Sequence, residues 1–267
     1  AIDARWNHTG DACALDTIIS RSEDNGQTWT YSFPNYFNDS TDAYAAYATA
    51  FIDPVMVQGS DGTIYLMVDA FPGGVALNTA PMRPAAATGY VAIDGVDRLV
   101  LYTTAKTAEQ SDSNYAYYVG DYTDGFAPVI SVTSDATEYY LDEHFNLYDT
   151  EHQPIYCQQL GSSKIVQQNV FYYNADLHVR NACYLWLVTS TDGGKTWSAP
   201  TILNDQVRTG NDVFYGVGPG AGLCLEDGTV ILPCYTYSNQ IASFIYTTDG
   251  GKTWTRSQDA TTSAHWS

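Results

Sequence analysis

Three eight-residue segments of this chain repeat one pattern: Ser22-Glu23-Asp24-Asn25-Gly26-Gln27-Thr28-Trp29, Ser190-Thr191-Asp192-Gly193-Gly194-Lys195-Thr196-Trp197 and Thr247-Thr248-Asp249-Gly250-Gly251-Lys252-Thr253-Trp254. A hydroxyl residue opens each one, with Asp two later, Gly four later, Thr six later and Trp seven later. Each element has a local task. The aspartate accepts hydrogen bonds from the turn's own amides, the glycine supplies a positive φ, and the hydroxyl braces the strand entering the turn. The tryptophan is expected to pack the turn back onto a sheet. Strand-like runs precede the turns at Asp16 to Ser20, Tyr184 to Val188 and Phe244 to Tyr246, so each turn is read as the tip of a β-hairpin.

A second punctuation recurs in "GSDGTIYLMVDAF" (59–71) and "LEDGTVILPCYTY" (225–237), where Asp-Gly-Thr precedes a β-rich run. From Asp227 onward the order is Asp-Gly-Thr, strand, short loop, strand, Trp turn, which is most of a four-stranded blade. Trp197 and Trp254 stand 57 residues apart, near the ~50 of one blade. The fold class expected is therefore all-β, a β-propeller. Residues 1 to 6 match the strand that follows an Asp-Gly-Thr-like turn, so the chain is expected to open inside a blade. Its strands amount to parts of about four blades, against four to eight in a closed ring, which implies a small ring or a partial chain. Between 75 and 165 the Trp turn is missing, and strand-like pieces at Arg98 to Tyr102, Tyr115 to Val119 and Val129 to Val132 suggest an inserted β-rich segment. Helical periodicity is nearly absent, and Ala-rich Asp42 to Phe51 is ambiguous.

At 267 residues and 45% hydrophobic content the chain can bury a sizeable core. Thirty acids against eleven bases leave a net charge of −19, which argues against a nucleic-acid partner because phosphate binding needs a basic surface. No run reaches the roughly 18 apolar residues of a membrane span, and no signal-peptide order is seen. The acidic, Tyr- and Ser/Thr-rich surface fits a secreted or cell-surface bacterial protein. Cys13, Cys157, Cys183, Cys224 and Cys234 form no CxxC pair and read as small hydrophobes rather than a zinc site. A hairpin centred on Asp227-Gly228 sets Cys224 opposite Ile231 and Cys234 opposite Ala221, so no bridge is expected. His8, His144, His152, His178 and His265 show no metal spacing. "GVGPGAG" (216–222) lacks the Gly-Lys-Ser/Thr of a phosphate loop, and no cofactor is implied.

The Trp turns have the form of the Asp box of sialidases. The opening "DARWNHTGDACALDTIISRSEDNGQTW" resembles the sialidase segment in which an Asp-x-Arg strand leads to a loop with a catalytic aspartate and then an Asp box. "FIDPVMV" (51–57), "DAFPGG" (69–74), "YLWLVTSTDGGKTWSAP" (184–200) and "GVGPGAGLCLEDGTVILPCYTY" (216–237) resemble successive sialidase segments in order. This resemblance implies a six-bladed propeller and a retaining exo-α-sialidase that acts on sialylated glycans. It implies Asp11 as general acid/base, Arg5 and Asp53 as contacts on the sugar's 4-hydroxyl side, and Phe71 as a wall near the N-acetyl group. The family's three carboxylate-binding arginines, its Glu and its tyrosine nucleophile have no matching motif here; they are expected to lie upstream of Ala1 and downstream of Ser267.

From the residues alone, the period of two in the first strand turns Asp3 and Arg5 to one face, and the loop from Trp6 to Leu15 can bring Asp11 beside them. A tyrosine nucleophile departs from the two-carboxylate rule for a physical reason, since a substrate carboxylate repels an anionic nucleophile. An acid in the role of Asp11 needs burial or a negative neighbour to hold its proton. Other readings stand beside this one. Asp11 is also an ordinary loop aspartate, and Arg5 with Asp53 also makes sense as an ion pair between blades. Asp24, Asp192 and Asp249 are structural. A non-catalytic Asp-box propeller that binds glycans or proteins is the alternative to the enzyme, and a different Asp-box glycoside hydrolase would need a second catalytic carboxylate opposite Asp11.

Overall fold

The computed structural model describes residues 1–6, 9–38, 47–77, 83–105, 110–159, 163–237 and 241–260. Its regular structure is β apart from one helical turn, α1 (Asn204–Val207). The first sheet contains β1 (Ile2–Arg5), β2 (Leu15–Arg21), β3 (Thr30–Asn35), β4 (Ala50–Gln58), β5 (Ile64–Phe71), β15 (Tyr184–Ser190), β16 (Thr201–Ile202) and β18 (Gly220–Ala221). β2 meets β4 through one pair, Leu15 with Ala50. The sheet thus divides into a β1–β2–β3 unit and an antiparallel ladder β4-β5-β15-β16. The middle strands β5 and β15 are buried almost throughout, which is why both read as continuous apolar runs rather than alternating ones.

A second sheet has the order β11-β10-β9-β8-β7-β14, with β6 on β7. Its members are β6 (Tyr90–Ile93), β7 (Val96–Tyr102), β8 (Tyr117–Val119), β9 (Phe126–Ser131), β10 (Thr137–Asp142), β11 (Leu147–Tyr148) and β14 (His178–Val179). A small hairpin pairs β12 (Tyr156–Gln158) with β13 (Ile165–Gln167). The last sheet is a second ladder, β17 (Tyr215–Val217), β20 (Val230–Thr236), β21 (Ala242–Thr247) and β22 (Thr255–Arg256), with β19 (Leu223–Cys224) also on β20. The all-β expectation holds. A closed six-bladed ring is not among the sheets that the described residues form.

The three Trp turns join β2 to β3, β15 to β16 and β21 to β22, at the positions read from sequence. In the first, Ser22 Oγ donates to Asp24 Oδ1 at 2.8 Å and accepts the Gly26 amide at 2.7 Å, while Thr28 donates through N and Oγ1 to the two Asp24 oxygens at 2.8 and 2.6 Å. The hydroxyl therefore takes up the glycine amide rather than bracing the incoming strand. The other two copies repeat this set. Gly26, Gly194 and Gly251 all have φ between 83° and 86°, where a side chain would be strained. These bonds, led by the Thr28 hydroxyl, pull Asp24 down to about 2, and equivalent threonines hold Asp192 and Asp249 below the ordinary carboxylate range. Packing of the tryptophans is not uniform. Trp254 is 3% exposed against Tyr65, whereas Trp29 is 62% exposed and returns only its Nε1–H to the Gly26 carbonyl.

Two register expectations change. Leu225 N–H bonds the Thr229 carbonyl at 2.8 Å, leaving three residues in the loop, with Gly228 at φ 88°. The extra residue slides the pairing so that Cys224 faces Val230, and Cys234 lies between Val217 and Ser243. Cys13, Cys183 and Cys234 are buried, Cys157 and Cys224 half-buried, and no disulfide joins them among the described residues. Ala50 and Phe51 open β4, while 42–46, His8 and His265 lie outside the described residues.

Trp186 of β15 stands at the centre of the core. Its ring lies 5.1 to 5.4 Å from those of Phe51, Phe145 and Phe171, and its Nε1–H donates to Asn35 Oδ1 at 2.7 Å. The same cluster continues through Leu66 and Val68 on β5 into Leu101, Val129 and Leu141 of the second sheet. One apolar core is thus shared by the β4-β5-β15 ladder and the strands of the 75–165 segment.

Candidate active site

Asp3 and Arg5 leave β1 on the same face, as the strand period requires. Arg5 is committed to its own neighbourhood. One guanidinium nitrogen binds Asp3 Oδ2 at 3.0 Å; the other donates to Asp11 Oδ1 at 3.0 Å and to the carbonyl oxygens of Thr9 and Gly10 at 3.1 Å. The arginine thereby shapes the loop that carries Asp11. Beneath this loop, buried Asp16 accepts the Trp6 indole N–H at 2.8 Å together with the Phe37 and Asn38 amides at 2.8 and 3.0 Å. Burial pushes Asp16 up to about 7 despite these donors, and the Trp6 amide closes the loop on the Ala14 carbonyl.

Asp53 arrives from β4. The "FIDP" segment breaks the β4–β5 ladder between Ile52 and Val55, and Asp53 takes φ 61°, a left-handed conformation that Asp tolerates better than most residues. The kink re-aims the carboxyl. Burial first, then the negative charges of Asp3 and Asp11, raise Asp53 to about 6, with Arg5 opposing. Asp3 is also raised by burial, against the pull of Arg5.

A cavity of about 380 Å³ opens here, walled by Gly10, Asp11, Ala12, Ile52, Asp53, Asp69, Phe71, Ala76, Leu77, Phe214 and Tyr235. Five segments of the chain meet in it. Phe71 stacks on Phe214 with ring planes 8° apart and centroids at 6.3 Å, and Tyr235 closes on Phe214 at 5.1 Å. The structure therefore brings Asp11, Asp53 and Phe71 to one cavity. Arg5 stands behind Asp11 and is not part of the wall. The Asp11 side chain is 72% exposed, so it sits at the mouth and the protein does not itself bury it. Asp24, Asp192 and Asp249 stay in their turns. Sequence reading passed over Asp69, Phe214 and Tyr235; only Asp69 carried a signal, since it shares a strand face with Phe71.

Residues 149–265 match the family model described as a BNR repeat-like domain. Over 96% of its length the chain is 26% identical to an anhydrosialidase of Macrobdella decora, of which it covers 36%. The crystal structure of an intramolecular trans-sialidase from Ruminococcus gnavus superposes with a TM-score of 0.79 at 26% identity, over 95% of this chain and 56% of that one. The NanB sialidase from Streptococcus pneumoniae gives a TM-score of 0.79 at 25% identity, over 97% of this chain and 41% of that one. A BNR repeat-like domain over residues 149–265, on an all-β scaffold, is thus what the turns and sheets define. More narrowly, the chain has a fold of the bacterial sialidase type, with sialidases as its homologues, and it spans about two-fifths to somewhat over half of the solved chains it matches.

Proposed function

We propose that this chain forms the central part of a retaining exo-α-sialidase on a six-bladed propeller, secreted or displayed at a bacterial surface. The enzyme releases terminal sialic acid from glycoproteins, glycolipids or oligosaccharides. The observation that carries this reading is the convergence of Asp11, Asp53 and Phe71, from three separate segments, on one cavity, with Arg5 holding the Asp11 loop. Homology to sialidases over nearly the whole chain supports it. So do two four-stranded ladders that each carry a Trp turn between their last two strands, as blades would.

In this mechanism Asp11, at the cavity mouth, gives its proton to the glycosidic oxygen as the bond to the sugar's anomeric carbon breaks. The same carboxylate later takes a proton from the incoming nucleophile. Because Asp11 is exposed, the bound substrate completes its enclosure by covering the mouth with its aglycone. Asp53, with Asp3 behind it, faces the uncharged hydroxyl edge of the sugar, because a substrate carboxylate on that side would meet a wall of acids. Phe71 and Phe214 provide an apolar wall. The arginine triad, Glu and Tyr that the resemblance implies have no counterpart within 1–267, so the test uses the full-length gene product.

That protein is expected to hydrolyse a fluorogenic aryl sialoside. Asp11→Asn is expected to lower turnover of sialyllactose by about a hundredfold or more, and of the aryl sialoside much less, since an aryl leaving group needs little protonation. Product analysis would separate free sialic acid from transfer or an intramolecular anhydro sugar. No turnover by the full-length protein would sink the enzyme reading in favour of a glycan- or protein-binding propeller. Equal activity of Asp11→Asn and wild type on both substrates would remove Asp11 from the mechanism.

A further inference from the structure

The floor of the same cavity holds a carboxyl that the chemistry above leaves unused. Asp69 lies on β5, is 1% exposed, and faces the cavity beside Asp53 and Phe71. Its Oδ1 accepts the Val217 amide at 2.9 Å, joining β5 to β17 of the other ladder. Its Oδ2 has no hydrogen-bond partner among the described residues. Glycine at 216 is what lets the two strands approach, because a Cβ there would overlap both Asp69 oxygens. "GVGPGAG", rejected above as a phosphate loop, thus begins with a glycine required by a carboxyl.

Among the described residues no cation pairs with Asp69, and the charge of Arg208 nearby only opposes its rise. The groups around it are Asp53 on β4, Cys183 before β15, Val217 on β17, Cys234 and Tyr235 on β20, and Arg208 after α1. Arg208 gives its terminal nitrogens to the carbonyl oxygens of Cys183 and Asp212, both at 2.5 Å, and makes no ion pair with Asp69. An ionised carboxylate buried without a paired cation is strongly disfavoured, and burial raises Asp69 well above the carboxylate range. A carboxyl that keeps its proton, with one oxygen already accepting from an amide, carries its O–H on the other oxygen.

We propose that Asp69 is a positioning residue of this pocket. It is a neutral carboxyl that fixes the Gly216–Val217 segment through Oδ1 and offers Oδ2–H to an uncharged oxygen of the bound sugar, a hydroxyl or acetamido carbonyl, directly or through one water. The identity of the ligand rests on the sialidase reading; the neutral floor does not.

The test compares wild type, Asp69→Asn and Asp69→Ala in the full-length protein, by steady-state kinetics on sialyllactose and by urea unfolding from pH 5 to 8. Asparagine keeps an acceptor for Val217 and places an N–H donor where the O–H stands. Asp69→Ala is expected to raise KM about tenfold with kcat changed less than about threefold, and Asp69→Asn to recover most of that loss. The wild type should lose stability relative to Asp69→Asn as pH rises, because its unfolded chain releases a proton that the folded chain keeps. Asparagine as damaging as alanine, or a wild type that gains on Asp69→Asn with rising pH, would overturn the neutral carboxyl. An unchanged KM in Asp69→Ala would reduce Asp69 to a strand clamp. If Asp69→Ala does not fold, the Asp69→Asn stability comparison decides alone. If wild type neither binds nor cleaves sialosides, the sugar half of the proposal falls with the sialidase reading, and the pH dependence still judges the neutral floor.

Discussion

At the scale of single residues, the site is a group of acids set at different depths. Asp11 is exposed and paired with Arg5; Asp53 is half-buried, left-handed and raised to about 6; Asp69 is fully enclosed. The sign of the Asp53 effect follows from its ordinary value of 3.8. Between 3.8 and about 6 the folded chain holds a proton that the unfolded chain has released, so the group's contribution to stability is complete at low pH and is lost as pH rises through 6. Asparagine also tolerates φ near 60°, so Asp53→Asn removes the charge without new backbone strain. Urea unfolding is expected to show the variant gaining on wild type between pH 4 and 7, by at most about 1 to 2 kcal/mol because solvent screens a half-buried group. A constant gap across that range would mean that Asp53 is not perturbed. Asp11, Asp53 and Phe71 could be named from motif resemblance. The depth of each could not, because burial depends on which strands pass over a residue.

At the scale of elements, the Trp turn is the most legible part of the chain, since every bond it needs is made within eight residues. What it rests on is not local. Trp254 inserts between the second ladder and Tyr65 of β5, and its amide N–H donates to Gln206 Oε1 at 2.8 Å, whereas Trp29 faces solvent. One motif therefore yields two energetic outcomes. Trp254→Ala is expected to cost about 3 to 5 kcal/mol and Trp29→Ala under about 1 kcal/mol, read by chemical denaturation. Equal costs would contradict the packing described. The Asp-Gly-Thr turns show a similar division. Asp61 and Asp227 cap their turns by accepting the Thr63 and Thr229 amides at 2.9 Å, a contact visible in the tripeptide. The one-residue change of register at Cys224 was not visible, because a two-residue and a three-residue loop are both compatible with the same glycine.

At the scale of the whole molecule, Trp186 and its aromatic neighbours join the first ladder to the second sheet in a single core. Strands of the 75–165 segment are therefore expected to unfold together with β4 and β5. Hydrogen exchange at Leu141 on β10 and at Val68 on β5 should report one common opening free energy, and Trp186→Ala should lower both, by about 3 to 5 kcal/mol. A lower, separate opening of β10 would show the second sheet to be independently stable. The sequence by itself determined what short-range chemistry can determine. That comprises the β class, the hairpin tips at 22–29, 190–197 and 247–254, and the loop that sets Asp11 beside Asp3 and Arg5, since each rests on residues within about ten positions of one another. Only the tertiary structure decided that Asp69 and Gly216 touch across two ladders and that Phe214 and Tyr235 complete the wall with Phe71. Those contacts join segments up to 148 positions apart, and such pairings are set by how sheets pack rather than by any local period.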